Sequence, residues 1–537
     1  MSENISSETN ESDMLSKPLQ SKPGKWFVSL SAALLLWTIA IFFAQSQYIV
    51  VSYWQEYMEI KIAVRAGLNF LFAVAALLLL PRWASISIVS VGYLCAIGLA
   101  TFANYFDDTM SVITLFANFD EGAAVTDAIV ALLPLGTVVL LFFANLAVIL
   151  LLCFAGKPSV SYRCRAGFGM LALFLYLGVL FGFNSFPELS FTRIQSRKGT
   201  GDLAAMYGLI PVWGGELFCK NNDELLRVAL AQPSTDRLTP LETRLELPRQ
   251  VVVLQIETLD FAVIGRKMNG KTVTPNFNRM KEKSFFYKVD SFHYNGSADA
   301  DFAMLNAREP SPHILNYKIH GFPYENTLPQ AFNEHGYKTY SFHNANGSFF
   351  ARLPAYRKMG IENIFFIEEI VKKYDIPKDE LRTFNGLDCV YDDQLFKILS
   401  QAIHEEKEKS FFFAITLDTH APYVIVKEKD IFSEPAGMLQ RYANSIHHVD
   451  KAFGTFYDSL PEGTLLVVYG DHGTSIREGD YVARERGEKD YVPCMISVIG
   501  QSIAERQKAD PVFALGGELS LVDVANYIRS LLKPSDN

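Results

Sequence analysis

VVVLQIETLD, residues 251–260, decides how the chain is read. Val251–Leu254 are apolar, Gln255 and Ile256 continue the run, and Glu257 ends it on a charge. A short, nearly continuous apolar run predicts a strand buried on both faces, as in a parallel sheet. In open α/β sheets the ligand crevice lies beyond the carboxyl ends of the strands, so Glu257 is placed to face it. A second run, Gly463–Tyr469 (GTLLVVY), ends in the same way, on Gly470-Asp471-His472-Gly473. Between the two lies Asn295-Gly296-Ser297-Ala298-Asp299. Carboxylate, hydroxyl, carboxylate and imidazole are the parts of a metal-assisted nucleophilic site.

Around these runs, strand-like segments (338–342, 411–416, 494–499) alternate with helical ones (327–335, 393–406, 437–460, 519–532). That alternation predicts an α/β domain over residues 249–532, a mostly parallel sheet sandwiched by helices. Upstream, residues 188–248 mix short helix-like pieces such as Asp223–Gln232 with Gly and Pro, and read as a juxtamembrane connector. Residues 26–187 contain five apolar stretches, at 26–46, 62–81, 83–104, 128–153 and 166–186. Each is close to the ~20 residues that a membrane-crossing helix needs. The first is too long for a signal peptide and more spans follow it. Residues 1–25 are polar and Ser-rich and read as a cytoplasmic tail.

Loop charge sets the expected orientation. Lys17, Lys22 and Lys25 precede the first stretch, Arg82 lies between the second and third, and Lys157, Arg163 and Arg165 lie between the fourth and fifth. The other two loops carry Glu56 and Glu59, and Asp107, Asp108, Asp120 and Glu121. The Lys/Arg bias puts the tail and the basic loops on the inner side of the cytoplasmic (inner) membrane, and five spans carry the α/β domain to the outer, periplasmic face. Four spans, with one stretch re-entrant, would leave that domain in the cytosol. Of the 537 residues 49% are hydrophobic, as suits part membrane and part soluble protein, and a net charge of -9 gives no support for a nucleic-acid partner. Six cysteines include no C-x-x-C pair, and Cys219, Cys389 and Cys494 fall outside the apolar stretches; an odd, widely spaced trio is no disulfide framework, though it leaves room for one bridge.

Glu257, Ser297, Asp471 and His472 offer hard oxygens and one imidazole, a set that suits Mn²⁺, Mg²⁺ or Zn²⁺. A bound divalent ion would make the Ser297 hydroxyl a nucleophile and offset phosphoryl charge. The plain alternatives are a solvent-facing strand end for Glu257, a polar turn for Asp471-His472 and a helix N-cap for Ser297. Two further strand ends supply donors and cations: Phe411–Tyr423 (FFFAITLDTHAPY), with His420, and Ser341–Arg352 (SFHNANGSFFAR), with His343, Phe350 and Arg352. Arginine can bind phosphate bidentately and histidine can protonate a leaving oxygen; their plain alternatives are a surface ion pair and a histidine satisfied by a backbone carbonyl.

The motif order Glu257-Thr258, Gly296–Phe302, His335-Gly336-Tyr337, Ser341–Arg352, Thr416–Tyr423 and Tyr469–Gly473 resembles the lipoteichoic acid synthase branch of the alkaline phosphatase/sulfatase superfamily. Leu521–Ala525 is similar to that family's closing helix, and a five-span anchor before an external catalytic domain is similar too. The resemblance implies a phosphotransferase with one divalent ion, usually Mn²⁺. It places Glu257, Ser297, Asp471 and His472 at the metal site, Ser297 as nucleophile, and His420, Arg352 and His343 at phosphate- and head-group-binding positions beside Phe350. It further implies phosphoglycerol transfer from phosphatidylglycerol, a membrane phospholipid donor, to a glycan or polyglycerolphosphate acceptor. This chain departs from the family in having Ser297 where Thr is common and Phe350 where a Trp-like residue is common. It also lacks the C-x-P-x-R motif of true sulfatases. A phosphoethanolamine transferase, whose soluble domain usually carries several bridged cysteines, is the alternative enzyme; a non-catalytic membrane scaffold is the alternative of another class.

Overall fold

The computed structural model describes residues 24–51, 58–106, 109–117, 119, 126–131, 133–156, 158, 160–185, 200–219, 222–234, 245, 247–384, 387–423, 431–432, 437–482, 489–504 and 519–532. The expected tail, residues 1–25, lies almost wholly outside them. Eight strands form the main sheet: β1 (Gln250–Ile256), β2 (Phe285–Ser291), β3 (Lys338–His343), β4 (Asn363–Phe365), β5 (Ser410–Ile415), β6 (Leu465–Gly470), β7 (Asp490–Val498) and β8 (Leu519–Ser520). Their spatial order is β8-β2-β7-β6-β1-β5-β3-β4. β1 lies at the centre, parallel to β6 and β5, with Val253 opposite Val467 on one side and Phe413 on the other. Only β7 runs against its neighbours.

Alternation along β1 explains why the sheet needs helices on both faces. Val251 and Val253 enter one core together with Phe411, Phe413, Leu465 and the helices Ala298–Asn306 and Leu521–Ser530. Val252, Leu254 and Ile256 enter the other, with Phe412, Leu466 and the helices Asp392–Glu405 and Met438–Ser459. Every residue of β1 is buried. Such burial stabilises by about 1.5–3 kcal/mol per large apolar side chain, and it aims the polar residues after each strand at one edge of the sheet.

Five helices are long and apolar enough to cross a membrane: Lys25–Tyr48, Met58–Leu79, Arg82–Phe106, Leu135–Cys153 and Tyr162–Asn184. The stretch expected at 128–153 divides into Thr126–Ala131 and Leu135–Cys153, with Pro134 at the N-cap of the second. Proline lacks the N–H that an interior helical position needs, but it is tolerated where a helix begins.

The connector is more deeply seated than a segment lying on a surface. All eight residues of Thr200–Tyr207 are buried, and a Cβ at Gly201 would meet the Val50 carbonyl oxygen at 1.7 Å. The Glu216 carboxylate accepts hydrogen bonds from the Thr200 hydroxyl (2.7 Å), the Ser111 hydroxyl (2.9 Å) and the Val112 amide (2.9 Å). The short helix Val112–Ala117, from the loop after the third span, thereby joins the connector. Cys389 and Cys494 are free and buried; the side chain of Cys219 lies outside the described residues.

Candidate active site

Glu257 follows β1, and the segment after β5 holds its backbone. Its amide donates to the Thr416 hydroxyl (2.9 Å), and the Thr419 hydroxyl donates to its carbonyl. Thr258 has a φ of 50°, a left-handed conformation that costs a β-branched residue about 1–3 kcal/mol. Three bonds hold it there: its amide donates to Asp471 Oδ1 (2.7 Å), its hydroxyl to Glu257 Oε1 (2.9 Å), and the Tyr442 hydroxyl to its carbonyl (2.9 Å). The turn that presents Glu257 is therefore tied to the loop that presents Asp471.

Glu257, Asp471 and His472 each bring one ligand atom within 4.8 Å of the other two. His472 Nε2 lies 3.3 Å from Glu257 Oε1 and 3.7 Å from Asp471 Oδ2. His472 Nδ1 lies 2.8 Å from the Gly473 carbonyl, so that nitrogen donates and Nε2 faces the carboxylates, the arrangement by which a metal-binding histidine is usually oriented. Asp471 Oδ1 accepts from the Thr258 and His472 amides, whereas Oδ2 is buried without a hydrogen-bond partner among the described residues. Burial opposes the charge on His472, but the Asp471 and Glu257 carboxylates outweigh it and raise its pKa to about 10. Burial would likewise raise Glu257, yet His472 and His420 bring it down to about 2. Burial and the Glu257 charge push Asp471 well above its ordinary value. Two acids, one imidazole and an orphaned carboxylate oxygen fit a small divalent cation.

His293 stacks on His472, with ring centroids 3.9 Å apart and an interplanar angle of 10°. With Asp490 the two histidines form another group whose ligand atoms lie within 4.8 Å. His472 belongs to both groups but has only Nε2 left for a metal, and the Glu257–Asp471 group carries two acids against one.

Ser297 stands on the turn that begins at His293. Gly296 has a φ of 128°, and a Cβ there would lie 2.7 Å from Phe350 Cζ, so the position needs glycine and Phe350 packs directly beside Ser297. Ser297 opens the helix Ala298–Asn306 without making a capping hydrogen bond, and it is half-buried. Ser297 thus does occupy the N-cap position, as in the plain alternative, but its hydroxyl is not spent on capping the helix. Asn295 fixes the turn: its amide donates to Asp299 (2.7 Å) and its side chain to the Ser311 carbonyl (2.9 Å). Thr114, on the short helix between the third and fourth spans, places its hydroxyl 3.1 Å from Asn295 Oδ1 and 3.0 Å from the His313 carbonyl.

Arg352 is almost fully buried, with its Nε 3.0 Å from Asp301 and its guanidinium 5.2 Å from the Phe350 ring. Burial works against its charge, but Asp301 raises its pKa overall. The ion pair expected as the plain alternative does form, in the interior rather than on the surface. His343 is buried with Nδ1 3.1 Å from the Ile415 carbonyl; burial first, and the Arg352 charge second, lower its pKa to about 3. His420 is half-buried with Nδ1 2.7 Å from the Ala421 carbonyl. His343, His420 and His472 thus share one design, in which a backbone carbonyl holds Nδ1 and Nε2 is left for other partners.

The sequence reading missed several residues that shape this site. Asp392 accepts from the amides of Leu417 and Asp418 (both 2.9 Å) and from Asn344 (2.8 Å), and Asp418 pairs with Arg382, so these residues brace the loop that carries His420. Asp260 accepts from the Ala262 (2.7 Å) and Thr474 (3.0 Å) amides. His293 was findable as a histidine four positions before Ser297. The others depend on contacts between segments far apart in the chain.

Residues 249–512 match the family model described as Sulfatase. Lipoteichoic acid synthase of Staphylococcus aureus (strain USA300) is 25% identical over 259 residues, covering 45% of this chain and 38% of the relative; the chain therefore spans well under half the length of that relative. Among solved structures, the integral membrane lipooligosaccharide phosphoethanolamine transferase A of Neisseria meningitidis is 15% identical, covers 95% of both chains and gives a TM-score of 0.54. The lipoteichoic acid synthase of Listeria monocytogenes is 18% identical, covering 57% of this chain and 81% of its own, with a TM-score of 0.41. Sequence match and topology together place residues 249–512 in the alkaline phosphatase/sulfatase superfamily, as a sulfatase-family domain that follows five helices of membrane-spanning length.

Proposed function

We propose that the chain is a metal-dependent phosphotransferase anchored in the cytoplasmic membrane, which moves phosphoglycerol from phosphatidylglycerol to a glycan or polyglycerolphosphate acceptor on the outer face. The observation that carries this reading is the convergence of Glu257, Asp471 and His472, with Asp471 Oδ2 buried and without a hydrogen-bond partner among the described residues. Those three side chains, with the Ser297 hydroxyl, would hold one divalent ion, Mn²⁺ on the family resemblance. Such an ion lowers the pKa of a hydroxyl bound to it and offsets phosphoryl charge.

Ser297 Oγ attacks phosphorus and the bond to the diacylglycerol oxygen breaks, leaving phosphoglycerol on Ser297. Diacylglycerol departs with the proton that Ser297 gave up. An acceptor hydroxyl then attacks the same phosphorus, gives up its proton and restores Ser297. Arg352 and the helix N-terminus at Ser297 balance charge on the phosphoryl oxygens. Phe350 packs the head group, and the Nε2 atoms of His343 and His420 orient it or relay its proton. Anchoring serves this chemistry because the donor never leaves the bilayer, and a tethered site meets it at high effective concentration.

The similarity to lipoteichoic acid synthase favours glycerol over ethanolamine as the head group. The test is diacylglycerol release by the full chain from labelled phosphatidylglycerol and labelled phosphatidylethanolamine, each with Mn²⁺ or EDTA. Mn²⁺-dependent release from the glycerol lipid is expected. Release from the ethanolamine lipid alone would assign the alternative head group, and release from neither would leave a scaffold.

A further inference from the structure

The spanning helices line an open cavity of about 440 Å³ at the end of the bundle remote from the catalytic domain. Lys25, Leu79, Arg82, Cys153 and Tyr162 mark that end, whereas the chain leaves toward the catalytic domain from the opposite end, at Asn184. Leu30, Leu77 and Leu152 are among its apolar walls, and Trp26, Tyr162, Arg82 and Arg165 also line it. No acidic residue stands among the described lining residues.

The two arginines are held differently. Arg82 turns toward the carbonyls of Cys153, at 3.5 Å, and Gly156, and so caps the end of a spanning helix. Arg165 lies between two aromatic rings, 5.9 Å from that of Trp26 and 5.7 Å from that of Tyr162. Its Nε is buried with no hydrogen-bond partner among the described residues. A buried cationic donor left unmatched is costly, and an anionic oxygen would match it. A small soluble anion would have no use for the leucine walls. An acyl chain would, and aromatic side chains with arginines are the usual furniture of the head-group level.

We propose that this cavity binds an anionic phospholipid, with its phosphate at Arg165 and Arg82 and its acyl chain along Leu30, Leu77 and Leu152. The site lies at the other end of the bundle from the candidate active site and does not depend on the function proposed above.

The full chain in phosphatidylcholine nanodiscs, doped with brominated phosphatidylglycerol or brominated phosphatidylcholine at equal mole fraction, tests this directly. The readout is the fluorescence due to Trp26, obtained by difference from Trp26→Phe. Quenching should favour the anionic lipid, by on the order of fivefold for each arginine. Arg165→Gln should remove most of the preference, whereas Arg163→Gln, an exposed neighbour outside the cavity, should retain it. Equal quenching of the wild type by both lipids would reduce the site to ordinary boundary lipid and overturn the proposal, with no need of a variant. Retention of the preference in Arg165→Gln would overturn the assignment of the phosphate to that residue.

Discussion

Asp471 uses its two oxygens differently. Oδ1 closes the turn through the Thr258 and His472 amides, and Oδ2 is left toward Glu257 and His472. Asp471→Asn can keep the first set of bonds through its amide oxygen and still lose the ligand. The fold is therefore expected to survive, the Mn²⁺-induced rise in melting temperature to vanish, and turnover to fall by at least about a hundredfold. An undiminished thermal response to Mn²⁺ would show that the ion binds elsewhere. His343 makes a separate prediction about pH. Its pKa falls from 6.5 to about 3 on folding, so between those values the unfolded chain binds a proton that the folded chain refuses. Stability should accordingly drop as pH falls from 6.5 toward 3, by up to about 1.4 kcal/mol per pH unit. Denaturant unfolding of the catalytic domain, followed between pH 6 and pH 4, should be less steep in pH for His343→Gln; an unchanged slope would mean that His343 is protonated in the folded state.

At the scale of elements, the helix Val112–Ala117 ties membrane to chemistry. Glu216 holds its start, and Thr114 reaches the turn that carries Ser297. Removing one partner of a buried hydrogen bond costs about 1–3 kcal/mol. Thr114→Val is therefore expected to lower kcat about tenfold while the thermal response to Mn²⁺ is retained, and Thr114→Ser to restore turnover; equal losses in both variants would mark a packing role only. Nothing in the sequence announces this contact, because the partners Thr114 and Asn295 sit in different parts of the chain. The central strands were legible for the opposite reason: β1, β5 and β6 are buried on both faces, so their apolar runs are unbroken and their ends stand out. Phe285–Ser291 (FFYKVDS), with alternating burial and antiparallel pairing to β7, gives no such run, and β4 and β8 are too short to give one. Glu257, Asp471 and His472 were findable because they follow strands; the braces Asp392, Arg382 and Asp260 act across loops and were not.

Over the whole molecule, the spans, the connector and the catalytic domain form one chain of contacts. Gly201 is its tightest link, since a side chain there would strike the Val50 carbonyl. Gly201→Val should destabilise the full chain by roughly 1–3 kcal/mol and slow turnover of phosphatidylglycerol more than that of a soluble aryl phosphodiester; equal slowing of both would show that the docking of the connector does not govern access to the lipid. Five apolar stretches and an α/β domain were readable from hydrophobic period alone, whereas the depth at which residues 200–207 are buried was not, because their composition resembles that of any short amphipathic piece.

The most direct measurement is the mass of the full chain after brief exposure to phosphatidylglycerol and Mn²⁺, followed by peptide mapping. One phosphoglycerol group on the peptide containing Ser297, absent with EDTA and absent in Ser297→Ala, is the expected result. An unmodified Ser297 in protein that still releases diacylglycerol, or an adduct formed equally well with EDTA, would contradict a metal-activated serine nucleophile.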